Sequence, residues 1–234
     1  MRGTTAKSAY WQGVVAGLPF ILVIIPFATL FGVVATETGL DVAGAMGFSI
    51  LVIAGAAQFT ALQLMSEDAG VALILAASLA VNLRMAMYSA SLVPWLGPAP
   101  LWQRALVAYL NVDQTFAASL AAYEARPSMS VAQRVAFFFG VATPIAPPWY
   151  VATYLGAVAG AAIPEAWALD FALPITFIAM LGPLLRTLAH VAAASVSAVV
   201  GLALAGLPAG VGLLIAAGAA MATGAAVDAW RSRP

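Results

Sequence analysis

The sequence predicts an all-α polytopic membrane protein, one transmembrane domain over 1–234 with about eight transmembrane helices of ~20 apolar residues each. Three observations carry that expectation. Charged residues make up only 8% of the chain, against about 25% in an ordinary soluble domain, too few to clothe a water-facing surface. The mean hydropathy is +1.01. Basic residues also gather on one side of the topology that the apolar stretches define.

The stretches fall at 13–35, 42–64, 69–92, 103–122, 133–160, 168–186, 189–206 and 209–227. The first follows Arg2 and Lys7, as a signal peptide would, but it is far longer than a roughly 7–15-residue h-region and reads as an uncleaved span. The second holds Gln58 among small residues, and the third carries Arg84. The fourth packs Asn111, Asp113, Gln114 and Thr115 into one short run, poor helix that suggests local unwinding around a cavity. The fifth contains Pro144, Pro147 and Pro148, which must break it, because each proline lacks a donor and clashes with the preceding turn. Asp170 and Arg186 bracket the sixth near its ends, where solvated faces are expected. The third and fifth spans are the weak points of the count, because broken helices or a re-entrant segment there would change it. The connections are short, and only 123–132 is notably polar, with Glu124, Arg126 and the neighbouring Arg134.

With both termini cytoplasmic, Arg2, Lys7, Arg126, Arg134, Arg186, Arg231 and Arg233 lie inside and only Arg104 outside, which satisfies the positive-inside rule. The net charge of zero excludes a broad basic surface for nucleic acid. The chain has no cysteine, hence no disulfide or thiolate site, and a single histidine, His190, argues against a zinc or di-iron centre. No metal or cofactor is expected.

Shifted by 124 residues, the halves 13–122 and 133–227 echo each other. Gly32 lands on Gly156 within similar segments, Asp41 lands on Glu165, and Pro19 and Pro26 fall within two positions of Pro144 and Pro148. Prolines interrupting corresponding helices of two halves point to a transporter binding site. The competing explanation is composition, since Ala/Gly-rich helices align easily. An even number of crossings between the halves makes the repeat parallel. Gly13/Gly17, Gly156/Gly160 and Gly206/Gly210 are small-xxx-small pairs suited to close helix packing.

Charge at membrane depth costs roughly 2.5–3.5 kcal/mol on insertion scales, so Arg84 and Asp113 demand a partner, a cavity or a function. Counted from the outer ends of their spans, they lie about 12 and 15 Å deep and could meet. They either form a structural ion pair or act on a ligand, Arg84 facing an anionic group and Asp113 a proton or a cation; a zwitterion satisfies both. Tyr88 and Ser91 share the helical face of Arg84. Gln58 either bridges helices or touches ligand. Phe59, Phe116 and Trp149 either line an apolar pocket or simply pack.

At these residues the chain resembles the AzlC family, the large subunit of bacterial branched-chain amino acid export permeases. The resemblance rests on Ala54-Gly55-Ala56-Ala57-Gln58-Phe59, on Val81-Asn82-Leu83-Arg84 with Tyr88-Ser89-Ala90-Ser91-Leu92, and on Ala108-Tyr109-Leu110 through Asp113 to Phe116-Ala117. It continues through Ile163-Pro164, Trp167 and Leu169-Asp170-Phe171-Ala172, and at Pro19-Phe20 and Pro26-Phe27-Ala28. It implies an inner-membrane exporter of valine, leucine and isoleucine, with methionine a further candidate, driven by protons and working with a small AzlD-like membrane subunit. Taken together, Asn82, Arg84, Tyr88, Ser91, Gln58, Phe59, Asn111 and Trp149 are the substrate-site candidates. The family pattern after Tyr109-Leu110 reads threonine, aspartate, glutamate. Here it is Val112-Asp113-Gln114, so Asp113 alone is left to carry a coupling proton.

Two other classes compete with a transporter subunit. A channel or structural subunit would give flux that neither saturates nor accumulates substrate. An intramembrane enzyme has only Ser195 with His190, five residues apart and off one helical face, so an enzyme is not expected.

Overall fold

The computed structural model describes residues 5–160, 185, 187–206 and 211–231. Every regular element among them is helical: α1 (Ala6–Gly17), a 3-10 turn (Leu18–Phe20), α2 (Ile21–Glu37), α3 (Val42–Leu51), α4 (Gly55–Ser66), α5 (Val71–Leu96), α6 (Leu101–Tyr109), α7 (Asp113–Ala125), α8 (Val131–Ala142), α9 (Ala146–Gly160), α10 (Leu188–Ala203) and α11 (Val211–Arg231). The expected sixth span, with Asp170, Arg186, Glu165, the segment from Ile163 to Ala172, and Gly210, lies outside the described residues.

The chain forms two compact units, Met1–Phe59 with Ser78–Trp167 and Thr60–Ala77 with Ala168–Pro234. In the second, α10 and α11 pack along each other, and Thr187 caps α10 by accepting from the His190 N–H (3.2 Å).

Among the described residues, three helical segments are long and apolar enough to cross a bilayer: Ala6–Glu37 (32 residues), Val71–Leu96 (26) and Val131–Gly160 (30). Val42–Leu51 and Leu188–Ala203 are shorter apolar helices. The expected third span is one continuous helix, whereas the second and fourth are interrupted, at 52–54 and 110–112. The fifth breaks at 143–145 as its prolines require. Pro144 sits in that turn, while Pro147 and Pro148 fall in the first turn of α9, where a missing N–H removes no helical bond. Pro19 lies in the 3-10 turn between α1 and α2, and Pro26 is carried inside α2.

The first unit is built around two of the long segments running side by side. α1 lies along α8 and α2 along α9, and the contacts advance together: Gly13 faces the Phe137 carbonyl, Gly17 faces Val141, Gly32 faces Gly156, and Thr36 faces Gly160. The segments are therefore parallel, and each contact joins positions 124 residues apart. At Gly13, Gly32, Gly140 and Gly156 any Cβ would run into backbone of the facing helix. Without a hydrophobic drive between lipid-bathed helices, such backbone approach supplies the dispersion that holds them.

The polar connection before α8 is pinned rather than loose. Ser130 and Gln133 cap α8 reciprocally, and Arg134 donates to the Pro127 carbonyl (2.7 Å) and lies over the Trp95 ring (4.8 Å). Tyr123, fully buried, donates to the Arg134 carbonyl (2.8 Å).

Candidate functional site: an intramembrane ion pair beside broken helices

The two interruptions meet in space. When a helix stops inside a membrane, its last carbonyls lose their partners and must find others in protein. Tyr109, the last residue of α6, donates its hydroxyl to the Ile50 carbonyl near the end of α3 (2.6 Å) and also touches the Tyr150 hydroxyl of α9 (2.8 Å). Gln58 repairs the other side. It is buried on α4, within 3.3 Å of the Ser49 hydroxyl, which lies 3.2 Å from the Thr153 hydroxyl. With its amide turned, Gln58 also reaches the Val52 carbonyl, which accepts from the Ala54 N–H as well (2.9 Å), and the Ser49 N–H, each at 3.3 Å. Gln58 thus acts here as an interhelical bridge.

At the second interruption Thr115 folds its hydroxyl back on the gap. It accepts from the Val112 N–H (2.8 Å) and lies within hydrogen-bond reach of the Leu110 and Val112 carbonyls. This leaves Asp113 as the first residue of α7, where the positive end of the helix favours a carboxylate. Arg84 of α5 reaches it: Nη1 is 3.0 Å from Asp113 Oδ2.

The pair is neither sealed nor saturated. The side chains are 25% and 42% exposed, so another molecule can reach them. Arg84 Nε and Asp113 Oδ1 are buried atoms without a hydrogen-bond partner. One orphan donor and one orphan acceptor flank the bonded pair. Next to it, Tyr88 stacks on Phe116 with centroids 4.2 Å apart and rings 9° from parallel, its phenol bordering Asp113.

The expected site residues divide into groups. Arg84, Asp113, Tyr88 and Phe116 come together as described. Asn111 is buried nearby and donates to Ser89 (3.3 Å), its Oδ1 unpartnered. Ser91 shares the face of Arg84 but gives its hydroxyl to the Met87 carbonyl (2.9 Å). Asn82, two residues before Arg84, projects roughly 200° around the helix from it. Phe59 and Trp149 join a packed cluster through Phe27 (4.9 and 5.7 Å), whose rings occupy the space beside Gly55. The aromatics therefore split between that cluster and the Tyr88 stack. Tyr109, Ser49 and Thr153 escaped the sequence reading. Tyr109 stood inside a quoted motif, but nothing in a linear sequence shows which carbonyl a hydroxyl will reach.

In the second unit, Ser195 donates to the Val191 carbonyl (2.9 Å), the usual resting place of a helical serine. No cluster of three metal-ligating side chains exists among the described residues.

Among the described residues, apolar segments of membrane length and interrupted helices beside an ion pair define an α-helical membrane protein. Over residues 19–163 the sequence matches the AzlC protein family, and the chain belongs to it. It is 29% identical over 207 residues to an uncharacterized membrane protein of Archaeoglobus fulgidus, covering 87% of this chain and 88% of the relative. It is 26% identical over 186 residues to the inner membrane protein YgaZ of Escherichia coli, covering 75% and 73% of the two chains. No solved structure matches it.

Proposed function

We propose that this chain is the large subunit of a secondary transporter that exports neutral branched-chain amino acids across the bacterial inner membrane, with both termini cytoplasmic. The observation that carries the reading is the Arg84–Asp113 pair, bonded once, reachable, and flanked by an orphan donor and an orphan acceptor. A zwitterion offers a carboxylate to Arg84 and an ammonium to Asp113, so it can replace the internal pair without stranding either charge. The stacked Tyr88 and Phe116 supply an apolar flank for an aliphatic side chain. Membership of the AzlC family supports a transporter subunit over an enzyme.

Valine, leucine, isoleucine and methionine are the proposed substrates. Asp113 is the proposed coupling acid, since the neighbouring position is Gln114. A small AzlD-like subunit is the proposed partner. The parallel contact between Ala6–Glu37 and Val131–Gly160, at the 124-residue offset of the sequence echo, supports a parallel repeat of two halves and eight spans in all. Such a repeat would place the proline-broken segments around a pseudo-two-fold axis along the membrane normal.

The test is amino-acid efflux from proteoliposomes with an imposed pH gradient, with and without the partner. Arg84→Ala should abolish valine and leucine export while the protein still reaches the membrane; undiminished export would sink the site.

A further inference from the structure

A cavity of about 190 Å³ opens between α5 and α6, on the side of the ion pair toward the C-terminal end of α5. Its walls are chiefly apolar, formed by Leu92, Val93 and Leu96 from α5 and Val107 from α6. Three polar side chains border it, Ser89, Asn111 and Arg104. Asn111, only 3% exposed, spends its amide nitrogen on Ser89 and leaves Oδ1 buried without a partner. Arg104 stands at an exposed position and meets no carboxylate among the described residues.

A buried amide oxygen without a partner is destabilising, so a ligand donor that reaches it gains more than a hydrogen bond in water would. An unengaged guanidinium calls for a carboxylate and prefers it bidentate. Between them lies an apolar volume well below the roughly 300–1,000 Å³ of drug-sized sites and a little above the ~150 Å³ that admits benzene. Neither Arg84 nor Asp113 lines it.

We propose that this cavity is a second ligand site, which holds an aliphatic amino acid with its carboxylate on Arg104, its ammonium on Asn111 Oδ1 and its side chain against Leu92, Leu96 and Val107. The ligand class rests on the transport reading; the place rests on the cavity. Leu96 and Val107 then set which side chains fit, and Arg104 sets the requirement for a free carboxylate. A lipid or detergent chain is the rival occupant, and it would use the apolar wall while ignoring Arg104 and Asn111.

The test is equilibrium binding to the full chain in nanodiscs, in an Arg84→Gln/Asp113→Asn background that removes both charges of the ion pair together. Leucine should still bind at one site per chain. Arg104→Gln should then weaken leucine roughly tenfold and leave leucinamide unchanged, the loss of one charge-assisted contact. Leu96→Ala should shift the preference from valine toward phenylalanine. Loss of all leucine binding in the background variant overturns the proposal, as does binding indifferent to both Arg104→Gln and Leu96→Ala, the pattern of an acyl chain. Efflux separates the two readings: if Arg84→Ala exports normally while leucine binding follows Arg104 and Leu96, the ion-pair site fails and the cavity stands.

Discussion

Two seams of this molecule solve opposite problems. Along the first, Ala6–Glu37 and Val131–Gly160 approach so closely that glycine is the only residue that fits at Gly13, Gly32, Gly140 and Gly156. Along the second, α5 meets the α6–α7 break through an ion pair, a ring stack, one amide contact and a cavity. Of an 18-residue apolar stretch within Val131–Gly160, 61% is buried inside the protein, against 22% for Ala6–Glu37 and 6% for Val71–Leu96. Backbone-to-backbone packing has one good distance and resists change. A seam of long side chains around an interruption is less tightly constrained, which suits the two states that the proposed transport cycle requires.

The comparison breaks most sharply at the glycines. Gly156→Leu should drive a side chain into the Thr29 carbonyl and cost at least the 1–3 kcal/mol typical of overpacking, more because backbone must yield. Folded protein recovered from membranes, measured by size-exclusion chromatography, should fall to near zero. Normal recovery would mean that the two segments need not touch.

Next in size is the charged seam. Arg84→Ala should lower export roughly a hundredfold or more, because the substrate carboxylate would lose its charged partner, with most of the protein still inserted. The swap Arg84→Asp/Asp113→Arg sharpens it, since a structural pair survives reversal whereas a substrate site matched to its surroundings does not. The swapped protein should insert at wild-type levels and stay inactive; full export would reduce the pair to a strut.

Asp113→Asn should leave substrate-dependent binding measurable but remove the response of export to an imposed pH gradient. A retained pH response assigns coupling to another residue. The smallest effect belongs to the junction: Tyr109→Phe strands the Ile50 carbonyl, a loss of about 1 kcal/mol, and should lower the thermal midpoint by roughly 2–4 °C with export reduced but present. An unchanged midpoint would mean that the two breaks stand without that bond.

Much of this was legible in linear form because the cause is local. Helix breaks at 110–112 and 143–145 follow from polar crowding and from proline, neither of which needs a neighbour to act. The meeting of Arg84 with Asp113 followed from depth alone, since two opposite charges at one level of an apolar slab have few other partners. The break at 52–54 was not legible. It contains no proline, and its freed backbone is stabilised by Gln58 and Tyr109, which are remote or ambiguous in sequence. Phe59 and Trp149 were grouped with Phe116 because all are aromatic, and only packing could separate them, since the phase of a ring around its helix gives direction but not depth of contact.

By itself, then, the amino-acid sequence determined a helical membrane protein of the AzlC family and its one costly pair of charges, because hydropathy and charge act through the solvent and need no partner. The tertiary structure alone decided which carbonyls the interrupted helices surrender, which hydroxyls satisfy them, and where empty volume remains. Those outcomes depend on distances between residues up to 104 apart in the chain, as Ser49 and Thr153 are, and no local preference encodes such a distance.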